Sequence, residues 1–586
     1  MKALTYVRNA SLAAATVLEH LGDDPVVLAL QVSRRLPVSL VRPLAAGAAK
    51  LCGRSFLGPL ASFICGDTAA VSRSLDAAAA ASGSLPPARA DRRNRRLADV
   101  AIAAGFPKEA DQLLARVSTD APGRPGTVAR SRWHAGDMSG AVSALSNGRG
   151  FEGRHRRRLE SELAVFEGWR PGLDPVESYT PESTTVLHVL TNSLPHTGSG
   201  YAQRSHSILK AQHELGWNVH AVTRPGYPVQ VGKVFASEQD RIDGVTYHRL
   251  LPARLPFGMQ ERLQLQAELT LTLALKTRPA VLHTTTHFVN GLVTAAVAEA
   301  LGIPWIYEVR GQLADTWAST RPAEARESER YRLFSEREAE VMSQAALVPT
   351  LGTIMAGQIA GAGVPRDRIR LLPNAVGEGY LENPLSAPEA RDALGLDPDT
   401  ELIGTVSSLV DYEGLDDLIA AFGLVAARQP KLKCLIVGDG AAASRLKSLA
   451  AELGLAERVL FTGRVPRGQA HLYHQAIDVF VVPRKDLDVT RAVTPLKPVE
   501  AMACARPVIA SDLPALGEMV RHGSNGLLVR PSDPAHLAEA IDTLISDAAL
   551  RADLGRNGRS HVLAGRTWGV VARSTAEMYR HAGAEA

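Results

Sequence analysis

TVLHVLTNSLPHTGSGYAQRSHSILKAQHELGWNVHAVT, residues 185–223, is the stretch whose reading decides the fold. Thr185 to Leu190 is a short apolar, β-branched run of buried-strand composition. The loop TNSLPHTGSGY leads into a long helix over AQRSHSILKAQHELG, and Asn218 to Thr223 is a second strand. Strand, glycine loop, helix, strand opens a doubly wound parallel sheet. Gly198 and Gly200 let the backbone pass close to a ligand, with their amides at a helix amino end, where phosphate is favoured. A glycine loop by itself also fits an ordinary tight turn.

Toward the carboxyl terminus the alternation continues. Strands are predicted at 245–250, 280–291 (running into a loop), 305–313, 347–352 and 368–376, with helices over 258–277 and 324–345. GEGYLENPLSAPEARDALGLDPDT, 377–400, has a connector's composition. A second α/β unit follows over 401–565, with strands at 432–440, 458–465, 478–484, 507–511 and 526–531. The last residues, 566–586, form an amphipathic helix, with packing back onto the 185–376 unit as one option.

Residues 1–180 have a different texture. They are rich in Ala and Leu and read as an α-helical extension, with a break at Ser82–Pro87. Two short hairpins turn at Gly105 and Gly136 and share an A-G-x-x-x-x-A core, which resembles tetratricopeptide-type units. Such hairpins need a neighbour to bury their faces, so they read as an interaction surface or as a cap on the next domain. Arg89, Arg92, Arg93, Arg95 and Arg96 are a solvated helix face or a contact for acidic lipid; no aromatic residues interleave to stack on nucleic acid bases. Residues 169–184 mark the main boundary.

The totals bound the rest. At 586 residues the chain exceeds one core. A 45% hydrophobic and 22% charged composition with net charge +4 fits a globular protein and excludes a polyelectrolyte-like nucleic acid binder. Cys52, Cys65, Cys434 and Cys504 form no CxxC pair, which fits buried thiols in a reducing compartment. The most apolar stretch, 37–66, is interrupted by Arg42, Lys50 and Arg54. It reads as a core helix or a membrane-surface segment rather than a span. The amino terminus lacks the order of a secretory signal, so the expected location is cytoplasmic, including the inner face of a membrane.

The ordered motifs PHTGSGYAQRS, GIPWIYEVRG, LLPNAV, GTVSSLVDYEGLDDLIAAF, LIVGDG, FTGRVP and TPLKPVEAMACARPVIASD…GSNGLLV resemble those of retaining glycosyltransferases of family 4, over about residues 185–580. The resemblance is greatest to a bacterial branch with YEVRG and TPLKP variants, associated with surface polysaccharide. It implies the GT-B fold: two Rossmann-like doubly wound parallel-sheet domains facing a cleft, here with the helical extension added. It also implies transfer of a sugar from a nucleotide-sugar donor to a glycan or lipid-linked acceptor, with retention and with neither cofactor nor metal. Glu500 matches the second glutamate of the family's E-x7-E motif, which holds the donor ribose; an acceptor-only carboxylate suits two hydroxyl donors. Thr494, Pro495 and Leu496 form the loop before it, with amides free for a diphosphate, and Lys497, Arg484 and Lys485 add positive charge. Gly438 and the Gly463-Arg464-Val465 turn look like the loops around the base. Asn374 matches an asparagine of the connector.

Three departures qualify the resemblance. Ala492 stands where the first glutamate of E-x7-E contacts the donor sugar, leaving Asp486 or Asp488 as substitutes. Ser408 and Glu413 replace an Arg and a Lys that hold donor phosphate. Departing diphosphate must be met by fixed donors or cations, so Lys497, Arg484 and Lys485 are the expected replacements. Arg310 stands in place of the family's histidine after the GIP strand. An arginine is no general base, so Arg310 is expected to bind phosphate or acceptor. Glu308 would point to the opposite face of an ideal strand. His283, with Gly198 and Gly200, is expected near the acceptor. A metal pair of His283 with His287 lacks a third ligand. The alternative reading is a catalytically weak GT-B homologue serving as a binding or assembly subunit through its helical extension.

Overall fold

The structure, a computed structural model, describes residues 2–23, 26, 38–51, 55–65 and 67–584. Cys52 and Arg54 lie outside the described residues. Two six-stranded sheets organise the chain. The first comprises β1 (Glu182–Leu190), β2 (Asn218–Thr223), β3 (Gln239–Ile242), β4 (Val245–Arg249), β5 (Pro279–Thr285) and β6 (Trp305–Glu308), in the order β3-β4-β2-β1-β5-β6. Its central strands are parallel, with Val186 of β1 opposite Val219 of β2 and Val281 of β5. Helices flank the central strands, and the last six residues of β1 and all of β5 are buried.

The edge strand β3 is antiparallel to β4, and the sequence reading missed it. Its signal is a two-residue Asp-Gly turn. Asp243 and Gly244 both have positive φ, 48° and 82°, as a type I′ hairpin requires. Beyond β6 the sheet is prolonged by the short pair β7 (Val348–Thr350) and β8 (Ile369–Leu371), since Val309 donates to the Pro349 carbonyl at 2.9 Å.

The second sheet is parallel throughout. It comprises β9 (Glu401–Val406), β10 (Leu432–Val437), β11 (Val459–Gly463), β12 (Val479–Val482), β13 (Val508–Ser511) and β14 (Gly526–Val529), ordered β11-β10-β9-β12-β13-β14. The strand order reverses between β9 and β12 here, and between β1 and β5 in the first sheet. Crevices outside the carboxyl ends of strands at such reversals are where α/β sheets take ligands.

The helical extension packs onto the first sheet's layer. Phe166, near the end of helix Phe151–Phe166, meets Phe288 and Phe334 edge-on at 5.3 and 5.5 Å, worth about 0.5–1.5 kcal/mol per pair beyond burial. The Gly136 turn is fastened to the same layer: Arg330 donates to the Gly136 carbonyl at 3.0 Å and Ser139 to Glu329 at 2.7 Å. Of the two readings of the hairpins, a cap on the neighbouring domain describes this packing.

The final helix, Trp568–His581, crosses back to the first domain. Val571, Met578 and Tyr579 join a core with Ile208, Leu209 and Trp217. The chain passes between the domains twice, and the passages lie side by side: Val376 accepts from Trp568 at 3.0 Å and donates to Arg566 at 2.9 Å. No helix among the described residues is long and apolar enough to cross a membrane.

Candidate active site

The loops after β9 and β12 meet at the second sheet's reversal. Gly414 makes this approach possible. At its φ of 67° an added Cβ would lie 1.8 Å from the Pro483 carbonyl oxygen. The crossing buries Glu413, which is 4% exposed. Arg484 donates to both of its carboxylate oxygens, at 3.1 and 3.3 Å, and to the Val493 carbonyl at 3.0 Å. Lys497 closes the trio with an ion pair to Glu413.

Burial alone would raise the Glu413 carboxyl; Lys497 and Arg484 overcome it and hold the carboxyl below its ordinary range. Burial brings the Lys497 ammonium down to about 8, against the pull of Glu413 and with a push from Arg484. The trio therefore carries one net positive charge near neutral pH. Arg484 and Lys497 occupy the expected loops, yet they face a carboxylate that stands where the family has a cation.

Lys485 is not a free cation at this site. Its ammonium is 2.7 Å from Asp417 and 3.2 Å from Asp416. Neither acidic substitute for Ala492 is unengaged: Asp486 is paired with Arg491 and Asp488 with Arg326. Ala492 ends a short helix, Asp488–Ala492, and packs with Val493 against the first domain's core.

Glu500 lies in the first turn of helix Lys497–Ala503. Its side chain is 22% exposed, with His474 Nε2 at 3.8 Å, and the Tyr380 hydroxyl is 3.3 Å from His474 Nδ1. Burial pushes its carboxyl up to about 7, with Arg467 and Lys497 opposing. Tyr380 and His474 were missed by the sequence reading. Neither sits in a motif, since one lies in the connector and the other on a short helix.

The two loops expected to surround a base lie edge to edge. The Gly438 amide donates to the Gly463 carbonyl at 2.9 Å, and at φ 132° a Cβ on Gly438 would lie 1.8 Å from the Ser407 carbonyl oxygen. Ser408 is exposed beside them. Arg464 is exposed too, in the turn with Val465, and makes no ion pair among the described residues. Thr494 is buried and its carbonyl accepts from Asn374 at 2.8 Å; Pro495 and Leu496 complete that turn.

On the first domain, Ser199 caps helix Gly200–Glu214 between the two glycines. A Cβ at Gly200 would meet nothing within 4 Å, and one at Gly198 only Gln203 at 3.7 Å. The space these glycines border is open.

Two expectations are corrected here. Arg310 does not project into the cleft. It is 4% exposed and donates to Glu308 at 2.6 Å, Ser205 at 2.8 Å and the Tyr201 carbonyl at 3.1 Å. The strand ends at Glu308 and bends at Arg310, so the two side chains meet although ideal alternation separates them. Arg204 binds the other Glu308 oxygen at 2.7 Å. Burial would raise the Glu308 carboxyl, but the two guanidiniums hold it far below the ordinary range.

His283 does not face the acceptor side either. It is 1% exposed, stacked on His188 at 4.8 Å, and shares a 2.5 Å hydrogen bond with the Tyr579 hydroxyl from the final helix. Burial brings its imidazole down to about 4. His287 is spent on capping helix Phe288–Leu301. Among the described residues no group of three or more His, Cys, Asp or Glu side chains is arranged to hold a metal.

Asn374 joins the halves of the site. Its oxygen accepts from Arg204 at 2.9 Å while its amide holds Thr494. The first-domain ion network is thereby tied to the turn before Glu500.

The two domains match known family models. Residues 199–375 match the family model "Glycosyl transferase 4-like domain" and residues 386–561 match "Glycosyl transferases group 1". The two matches fall one on each of the two α/β domains. An uncharacterized glycosyltransferase of Methanocaldococcus jannaschii is 27% identical over 37% of this chain and 55% of its own length. A D-inositol 3-phosphate glycosyltransferase of Acidothermus cellulolyticus is 29% identical over 51% of this chain and 66% of its own. A GDP-mannose-dependent phosphatidylinositol monomannoside mannosyltransferase of Mycolicibacterium smegmatis is 30% identical over 38% and 58%. The chain thus spans about half to two thirds of the length of these curated relatives. Among solved structures, sucrose-phosphate synthase of Thermosynechococcus elongatus superposes with TM-score 0.56 at 23% identity, over 68% of this chain and 98% of its own. HepE of Anabaena in complex with UDP gives 0.54 at 18%, over 68% and 100%. The two α/β domains therefore have the GT-B fold, and the helical extension is additional to it.

Proposed function

We propose that this protein transfers a sugar from a nucleoside-diphosphate donor to a glycan or lipid-linked acceptor, with retention of configuration and without a metal. In this reading it works at the cytoplasmic side of a membrane in surface polysaccharide or glycoconjugate synthesis. One observation carries the donor assignment: Glu500, raised by burial, stands at the reversal of the second sheet beside the turn of Thr494, Pro495 and Leu496. An ionised Glu500 accepts both ribose hydroxyls. Arg464 and the Gly438 and Gly463 loops border the base. Lys497 and Arg484, with one net charge left after Glu413, meet the charge of the departing diphosphate. Domain closure brings the open side of Gly198 and Gly200 to the sugar and excludes water. Relatives named for inositol phosphate and phosphatidylinositol mannoside acceptors support a polyol or lipid-linked acceptor class; the UDP complex and the GDP-mannose dependence of relatives support a nucleoside-diphosphate donor.

The test is a panel of nucleoside diphosphates followed by thermal unfolding and calorimetry. One base should stabilise the wild type and fail to stabilise Glu500→Ala, whose fold is retained. Stabilisation that survives Glu500→Ala would remove the donor site from this crevice.

A second reading is favoured by a specific observation. Arg310, Lys485 and the Arg484–Lys497 pair all face carboxylates, which suits a GT-B homologue that binds or assembles rather than turns over. No stabilisation by any nucleotide at millimolar concentration would decide for it.

A further inference from the structure

Helix Pro87–Ala104 sorts its charges by face. On the inward face Arg95 pairs with Asp99 at 3.4 Å, and Asp99 binds Arg130 at 2.7 Å. Asp91 is turned to the backbone amide of Ser118, at 3.1 Å. Arg89, Arg92, Arg93 and Arg96 follow each other at i, i+3, i+4 and i+7, so they line a single face. Among the described residues none of these four makes an ion pair. Like charges at this spacing repel one another, and no acidic side chain of the helix offsets them.

The face is not a flat solvated surface. The four arginines, with Ser55 and Phe56, line a cavity of about 220 Å³. Phe56 forms its apolar wall and holds the Arg96 guanidinium 5.0 Å above its ring. Arg93 is half-buried, with Nε and Nη2 enclosed and without a hydrogen-bond acceptor among the described residues. A buried guanidinium without an acceptor is costly unless a ligand supplies one.

We propose that this cavity is a binding site for a phosphate group. Guanidinium forks match phosphate oxygens two at a time, and four of them converge on a space of headgroup size. Nucleic acid is disfavoured because the one aromatic face, Phe56, is already covered by Arg96 and cannot stack a base. The phosphate is carried either by an anionic lipid headgroup or by a small soluble phosphate. The site lies on the extension, outside both glycosyltransferase domain matches.

The full chain is tested against two probes: phosphatidylcholine vesicles with and without phosphatidylglycerol, by cosedimentation, and inorganic pyrophosphate, by calorimetry. The key variant is Arg92→Gln/Arg96→Gln. Both side chains are exposed, so the melting temperature should hold. A control, Arg116→Gln/Arg157→Gln, removes two exposed arginines elsewhere. A headgroup ligand predicts binding only to the phosphatidylglycerol vesicles, roughly 30-fold weaker in the key variant and near wild type in the control. A soluble ligand predicts pyrophosphate affinity about ten-fold lower in the key variant alone. Arg92→Lys/Arg96→Lys keeps the charge and loses the fork, so it should fall between the key variant and wild type for either probe. Equal losses in key variant and control would overturn the proposal, as would pyrophosphate binding unchanged by the key variant together with no vesicle binding.

Discussion

At the residue scale the site turns on how buried charges are shared. Glu500 is raised to about 7 and Lys497 lowered to about 8, in each case first by burial. Ribose binding needs the ionised carboxylate, and phosphate binding needs the ammonium. Nucleotide affinity is therefore expected to rise through pH 7, fall above pH 8, and lose its lower limb in Glu500→Gln; calorimetry across pH checks this. For stability the sign is opposite. A carboxyl raised above its unfolded value favours the fold below the unfolded pKa, and that contribution is lost as pH rises toward 7. Glu500→Gln should thus be more stable than wild type at pH 8, by on the order of 3 kcal/mol at most, measured by urea unfolding. Glu413→Gln separates the two functional readings. It should cost roughly 3–5 kcal/mol of stability by leaving two buried cations facing one neutral amide, yet raise nucleotide affinity if Lys497 and Arg484 meet phosphate. Weaker binding with that stability loss would remove the pair from the donor site. The sequence named Arg484, Lys497 and Glu500, because motif spacing puts them in the loops at one crevice. It could not show that Glu413 binds the first two, since even the Arg484 contact joins residues 71 apart.

At the element scale the final helix, Trp568–His581, is a clasp on the first domain rather than an appendage of the second. Tyr579 reaches across the first sheet to His283 and, at 2.8 Å, receives a hydrogen bond from Gln212. Burial raises its phenol well above the ordinary range, so it stays protonated through the accessible pH range. Tyr579→Phe leaves His283 Nδ1 and the Gln212 amide short of a buried partner. The expected cost is about 1–3 kcal/mol in urea unfolding, with nucleotide affinity unchanged. A fall in affinity would mean that His283 acts on the cleft after all. The amphipathic pattern of residues 566–586 was legible in sequence; which domain it covers was left open there, because an apolar stripe states that a face is buried and not against what.

At the scale of the whole molecule, three polar contacts among the described residues help to hold the two domains together across the cleft. Asn374 bridges Arg204 and Thr494, Arg326 pairs with Asp488, and Glu518 caps helix Thr353–Gly361 of the first domain by accepting from Thr353 and Ile354 at 2.8 and 2.9 Å. The last is the easiest to remove without touching the donor loops. Glu518→Ala should cost about 0.5–2 kcal/mol as a lost cap and speed amide exchange over 353–356, read by hydrogen exchange mass spectrometry. Exchange unchanged there would mean that the cap does not hold the domains in this arrangement.

The two α/β halves, the connector and the loops that meet at the second sheet's reversal were determined by the sequence itself, since strand periodicity and glycine turns are local properties of the chain. The antiparallel β3 was also legible in its Asp-Gly turn. Which charges remain available was decided only by the tertiary structure. Arg310 is bound to Glu308 through a bend in the chain, Lys485 to Asp416 and Asp417, and Arg484 and Lys497 to Glu413. These pairings arise when distant loops bury their side chains together, and a buried charge takes the nearest opposite partner because leaving it unpaired is too costly.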